Sequence, residues 1–248
     1  MPKRLRKLED AYGRLILDYL ERGEGIEIVE RDDGFINASG YGPAAYFFPL
    51  RRWPKSERKA MRHVRGRVLD VGCGAGRVAL HLQERGHDVV GIDLSPLAVE
   101  VSRRRGVRDV RELPVTRVSP RLGRFDTIVM FGNNFGLTGS RRRAPWLLRR
   151  FRTITNDGAR ILAESVNPYA TDNPDHLAYH RRNRRRGRMP GHLRIRIRYG
   201  NYTSAWFDYL LASPEEMAEL AEGTGWELRQ VIDEGDRVYV GVLERRSG

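Results

Sequence analysis

Between Arg67 and Ser165 the chain alternates short β-branched runs with helical patterns. RVLDVG is followed by a helix from about Gly76 to Glu84, then DVVGID, a helix from Pro96 to Arg104, RDVREL, FDTIVMF, a helix from about Arg142 to Ile154, and ARILAES. Few folds accept this order. Each crossover carries the chain back across the sheet, so successive strands run parallel and helices cover both faces. Towards the C-terminus a helix from Pro214 to Glu222 precedes WELRQVID and VYVGVLER, which are joined only by Glu234-Gly235-Asp236. Strands linked by so tight a turn are antiparallel. The expectation is an α/β fold: a doubly wound, mostly parallel seven-stranded sheet with an antiparallel last strand.

Two segments stand outside this alternation. Leu5, Leu8, Tyr12, Leu15, Ile16, Tyr19 and Leu20 recur at helical spacing up to Gly23, and IEIVE and FINAS flank an Asp-Gly turn, a hairpin signature. Residues 41–54 are rich in aromatics, Gly and Pro, with Tyr46, Phe47 and Phe48 central, and a helix is expected over Lys55 to His63. Residues 167–191 are polar, and Pro168, Pro174 and Pro190 argue against one continuous element. Beyond them Leu193, Ile195, Ile197 and Tyr199 alternate with Arg194, Arg196 and Arg198; after the turn at Gly200-Asn201, Tyr202 to Leu211 reads as a second strand. The partition expected is a cap at 1–65, a core at 66–166 and 212–248, and an inserted antiparallel hairpin at 167–211, with cap and insertion forming a lid.

At 248 residues the chain can bury a core without disulfides, and its one cysteine, Cys73, excludes a disulfide framework or multi-thiolate metal site. The formal net charge is +13, but only Lys3, Lys7, Lys55 and Lys59 are lysines. So arginine-heavy a composition reflects genome bias as readily as phosphate binding, and the charge is discounted. No run approaches the roughly 20 apolar residues of a membrane span, and the N-terminus lacks an apolar leader, so a soluble, cytoplasmic protein without membrane association is expected.

The sharpest chemical signal is Val68-Leu69-Asp70-Val71-Gly72-Cys73-Gly74-Ala75-Gly76, a buried-strand pattern running into three alternating glycines and a helix. Such glycines permit a tight turn and a close approach of backbone N–H groups to a ligand. Asp93 ends the next strand, at the spacing where a carboxylate accepts ribose hydroxyls. The dinucleotide fingerprint requires a sixth-position glycine where this chain has Arg77, and Asp70 would repel a pyrophosphate while attracting an ammonium or sulfonium. S-adenosylmethionine carries both cations and a ribose.

With these residues in hand, VLDVGCGAGR…VVGIDLSP resembles the first two motifs of class I S-adenosylmethionine-dependent methyltransferases, FDTIVM resembles the family's fourth strand, and the terminal strand pair its characteristic sheet edge. The resemblance covers about Arg67 to Glu164 and Pro214 to Arg245. It implies that Gly72, Gly74 and Gly76 face the methionine and ribose parts of the cofactor, with Asp70 near the amino group. It places Asp93 on the ribose, Leu94 against the adenine and Phe131 at the cofactor site. The family often has an acid near the end of the third strand to hold the adenine amino group; here either Glu112 or a backbone group near Leu113 would serve. Cys73 is read as a small space-filler in the loop.

Phe131-Gly132-Asn133-Asn134-Phe135-Gly136 resembles the Gly-Asn-Ser/Asn-Phe run of small-molecule methyltransferases and not the Asn-Pro-Pro-aromatic run of nucleobase enzymes. Asn133 or Asn134 would then orient the acceptor. Candidate general bases are Glu164, Asp208, His176 and His180. His176 and His180, four apart, also fit one face of a metal site, but no third ligand is evident and no metal is expected. Nine arginines and no acid lie between Arg181 and Arg198. They are read as a solvated face. The reading favoured is methyl transfer to N or O of a small-molecule acceptor, giving S-adenosylhomocysteine. The alternatives are an RNA or DNA methyltransferase using the arginine face, and a non-catalytic cofactor-binding module docking an acidic partner.

Overall fold

The computed structural model describes residues 9–38 and 42–246. In chain order the elements are α1 (Ala11–Arg22), β1 (Ile28–Arg31), β2 (Ile36–Asn37), α2 (Lys55–Ala60), β3 (Val68–Val71), α3 (Arg77–Glu84), β4 (Val89–Asp93), α4 (Pro96–Arg104), β5 (Val110–Glu112), β6 (Phe125–Met130), α5 (Arg143–Thr153), β7 (Thr155–Val166), α6 (Pro174–Arg185), β8 (His192–Tyr199), β9 (Tyr202–Thr203), β10 (Phe207–Leu210), α7 (Pro214–Ala221), β11 (Trp226–Asp233) and β12 (Val238–Arg245).

The expected seven-stranded sheet is present, in the order β11-β12-β7-β6-β3-β4-β5. The pairs β4–β5 and β6–β7 are parallel, while β12 runs antiparallel to both β7 and β11. All four residues of β3 are buried in the middle of a sheet covered on both faces, Asp70 among the apolar Val68, Leu69 and Val71. A second sheet, ordered β10-β8-β1-β2 with β9 on β8, joins the N-terminal hairpin to the insertion. Sequence spacing alone does not announce that union.

Two expectations need correction. Pro174, read as a breaker, instead starts a twelve-residue helix, α6. Proline is tolerated in a first turn, where its missing N–H is not needed, and Asn173 caps the helix by accepting the Asp175 N–H at 2.9 Å. The strand expected over Tyr202 to Leu211 splits into β9 and β10; between them the Ser204 N–H donates to the Ile197 carbonyl, and the Ser204 hydroxyl, in place of its carbonyl, accepts the Ile197 N–H, both at 2.9 Å. Leu5 and Leu8 of the N-terminal periodicity lie outside the described residues.

The chain divides into two compact units, one of Met1–Trp53, Asp70–Val115 and Arg194–Phe207, the other of Pro54–Leu69, Thr116–Leu193 and Asp208–Gly248. In the first, Asp10 caps α1 through the Gly13 N–H (3.0 Å) and also accepts from the Ser95 hydroxyl (2.8 Å) and Leu97 N–H (3.2 Å). One buried carboxylate thereby serves the starts of both α1 and α4. Ile16 and Leu17 pack with Ala98 and Val101 of α4 and with Ala75 of the glycine loop. In the second unit Trp226 is buried and donates its indole N–H to the Leu148 carbonyl at 2.9 Å, and Ser213 and Glu216 close a reciprocal capping box on α7.

Candidate functional site: the glycine bend and the loop after the sixth strand

The predicted glycine bend forms as a run of left-handed turns. Gly72, Gly74 and Gly76 have φ of +69°, +54° and +77°. A side chain is strained in that region, and at Gly76 a Cβ would also lie 2.7 Å from Val107 Cγ2 and 2.8 Å from Ser102 Oγ. The bend and the predicted acid meet directly: Asp93 Oδ2 accepts the Gly74 N–H at 2.9 Å, and Oδ1 the Ser95 N–H at 2.9 Å. Burial nevertheless pushes the Asp93 carboxyl up to about 6, outweighing both amide bonds. Asp70 is buried at the end of β3 and accepts the Ala79 N–H from the first turns of α3 at 3.2 Å.

The neighbouring candidates gather at the same strand ends. Leu94, the residue after β4, is 46% exposed, an apolar side chain with room for a flat partner. Asp93 and Glu112 sit opposite each other in the β4–β5 register, and the Leu113 N–H donates to the Asp93 carbonyl at 2.8 Å. Cys73 is buried against Gly91, and burial pushes its thiol well above its usual range, as suits a space-filler. A carboxylate at the end of β4 and an exposed apolar side chain beside it are an acceptor and a flat face that suit an adenosyl group, so these residues fit the cofactor, while the Gly72, Gly74 and Gly76 amides are donated to the Ile92 carbonyl, Asp93 and the Cys73 carbonyl.

In the second unit Phe131 is buried and the next loop is pinned from three sides. Asn133 is the one non-glycine residue with positive φ (+63°) among the described residues. Glu164 accepts the Gly132 and Asn133 N–H groups at 3.2 and 3.0 Å, and Glu57 accepts the Gly132 N–H at 3.3 Å. The Tyr209 hydroxyl donates to the Asn133 carbonyl at 2.5 Å, and its ring fills the space a Cβ on Gly136 would take. The Asn133 Oδ1 is buried with no hydrogen-bond partner. Asn134 opens the short 3-10 turn that follows.

Asp208 meets the end of this loop through its backbone, its carbonyl oxygen lying 3.2 Å from where a Cβ on Gly139 would stand. It adjoins Tyr209 in β10, so its side chain points to the other face, lying 3.4 Å from His192 Nε2. Glu164, considered as a base, holds loop amides with both oxygens. His176 meets the Thr171 hydroxyl at 3.2 Å and His180 is buried beside Tyr169, and no group of three potential metal ligands gathers among the described residues. Of the arginine face, Arg196 forks onto Glu30 at 2.9 Å with its guanidinium over Trp206, and Arg198 reaches Glu30 at 3.1 Å. Glu57, Tyr209 and Tyr12, whose hydroxyl occupies the place of a Gly74 Cβ, escaped the sequence reading.

A glycine bend after the first core strand, an acid at the end of the next, and the strand order above define a Rossmann-like fold of the class I S-adenosylmethionine-dependent methyltransferases. The chain belongs to the methyltransferase domain family, which matches residues 46–231. An S-adenosylmethionine-dependent methyltransferase from Bacteroides fragilis, solved with S-adenosyl-L-homocysteine, superposes with a TM-score of 0.83 at 27% identity, covering 99% of this chain and 98% of that one. The cofactor is accordingly S-adenosylmethionine. Among curated relatives, a 2-heptyl-1-hydroxyquinolin-4(1H)-one methyltransferase of Mycobacteroides abscessus is 39% identical over 72 residues, 27% of this chain and 32% of that protein. An ATP synthase lysine N-methyltransferase of Mus musculus is 28% identical over 123 residues, 48% of this chain and 47% of that protein. The matches thus span a third to a half of these relatives' lengths. No helix among the described residues is long and apolar enough to cross a membrane.

Proposed function

We propose that this protein moves the methyl group of S-adenosylmethionine to a nitrogen or oxygen of a small-molecule acceptor. Asp93 accepts the ribose hydroxyls, Gly72, Gly74 and Gly76 face the methionine and ribose parts, Leu94 lies against the adenine, and Glu112 or the backbone at Leu113 meets its amino group. The bound cofactor supplies a sulfonium-activated methyl, so the protein's task is in-line positioning and exclusion of water. The observation that carries the acceptor reading is Asn133: a strained backbone held by Glu164 and Tyr209, presenting a buried side-chain amide oxygen, Oδ1, without a donor. An unpaired buried acceptor of that kind suits the N–H or O–H of an incoming nucleophile. The small-molecule substrate named for the M. abscessus relative supports the same class. The ion pairs of Arg196 and Arg198 with Glu30 reduce the charge a polynucleotide would meet.

Incubation with methyl-labelled cofactor and a cell extract, followed by separation by size, tests this. Label is expected in the low-molecular-weight fraction. Label confined to RNA, DNA or protein overturns the small-molecule reading, the protein case being the one the lysine methyltransferase match would favour. Asn133→Gly keeps a residue at ease with positive φ while removing the amide, and is expected to lower kcat/KM roughly 100-fold with S-adenosylhomocysteine affinity unchanged.

Cofactor binding should also depend on pH. Only the ionised Asp93 can accept two ribose donors, so the complex lowers a carboxyl that burial has raised to about 6. Affinity is expected to climb about tenfold per pH unit up to pH 6 and then level off, with proton release on binding below it. For the free protein the sign is opposite. A raised carboxyl contributes stability in full below its unfolded value, near 3.8, and loses it as pH rises through about 6. Calorimetry in buffers of differing ionisation enthalpy reads both.

A further inference from the structure

Tyr12, Tyr46 and Glu27 form a cluster on the glycine bend that the assignments above do not use. Tyr12, in the first turn of α1, sets its hydroxyl where a Cβ on Gly74 would stand. Tyr46 meets the Tyr12 ring edge-on, with centroids 5.2 Å apart and planes at 87°, and donates its hydroxyl to Glu27 at 2.9 and 3.1 Å. No cation of the described residues is paired with Glu27, whose carboxyl is raised by burial. Asp93 and Glu27 both bear electrostatically on Tyr12, holding its phenol well above its usual range after burial itself. Arg105 also adjoins the cluster, its guanidinium donating to the Ala75 carbonyl and, at 3.5 Å, to the Tyr46 carbonyl while lying over the Phe47 ring.

With Asp93 bonded to the Gly74 amide, Tyr12 against Gly74 and Glu27 bonded to Tyr46, two phenol rings and two carboxylates follow one another along the bend, an arrangement whose field favours a positive charge and gives little to a neutral group. In S-adenosylmethionine the sulfur is bonded to the ribose 5′ carbon, so a ribose held by Asp93 brings the sulfonium close to Tyr12. We propose that Tyr12, Tyr46 and Glu27 are a cation subsite for the sulfonium, which makes the protein prefer S-adenosylmethionine to its neutral product S-adenosylhomocysteine and so favours product release. This rests on Asp93 as the ribose site, but its readout is separate, being a ratio of two affinities and not the level of either.

Calorimetry on the full chain would compare the two ligands in wild type, Glu27→Gln and Tyr12→Leu. Glu27→Gln keeps an acceptor for Tyr46 and removes only the charge, so the fold is expected to hold, which a thermal melt checks. S-adenosylmethionine should weaken about tenfold in each variant while S-adenosylhomocysteine changes less than twofold. Should Tyr12→Leu fail to fold, Tyr46→Phe, which releases Glu27 from its hydrogen bond, takes its place and is expected to alter the same ratio. An equal weakening of both ligands, which the ammonium they share would produce, or no weakening of either, overturns the proposal.

Discussion

Asp93→Asn weakens S-adenosylhomocysteine binding about 100-fold or more, measured by calorimetry at pH 8, without unfolding the protein. The carboxylate would accept two ribose hydroxyls, and hydrogen bonds to a charged group are worth roughly 1.5–3 kcal/mol each. The sum, about 3 kcal/mol or more, is at least two decades in affinity. Stability should move the other way. The ionised Asp93 is costly in its half-buried, desolvated setting despite the Gly74 and Ser95 amides, so the variant is expected to melt no lower than wild type above pH 6. Binding within threefold of wild type would mean that the ribose is held elsewhere. A melting point well below wild type would mean that Asp93 serves the fold before the ligand.

Gly74→Ala is expected to damage both the fold and cofactor binding. It forces a side chain into φ +54° and drives a Cβ into the Tyr12 hydroxyl. The left-handed conformation alone costs about 1–2 kcal/mol. The steric term must displace Tyr12, and with it the start of α1 that Asp10 ties to α4. A fall in Tm of at least about 4 °C is expected for a chain of this size, with cofactor binding lost. Adding Tyr12→Phe removes the atom that the Cβ meets and should return part of the Tm, a non-additivity that a double-mutant cycle reads. Fully additive effects would show that Tyr12 and the bend are uncoupled.

What could be read from the sequence was local. The glycine bend and Asp93 are legible because backbone conformation dictates residue type at Gly72, Gly74 and Gly76, and one βα unit fixes the distance to the next strand end. Strand direction followed from the helical crossovers and the one tight turn. The unread parts depend on neighbours remote in the chain. Glu57 lies in a cation-rich helix that reads as a solvated face, yet it is 1% exposed because its carboxylate reaches the Gly132 amide. Asp208 and Tyr209 differ only in which face of β10 they occupy, and a strand's facing is set by its pairing, not by its own composition. Tyr12 belonged to an ordinary helical apolar stripe; what distinguishes it is the absence of a side chain at Gly74, 62 residues on. Pro174 shows the converse limit, since one residue type both ends and begins helices according to position.

A crystal structure of the complex with S-adenosylhomocysteine tests the proposed cofactor site most directly. The ribose hydroxyls should lie within hydrogen-bonding distance of the Asp93 carboxylate, with the adenine covering Leu94 and the amino group at Glu112 or the Leu113 backbone. A ligand seated with its ribose away from Asp93, and Leu94 still bare, would contradict it.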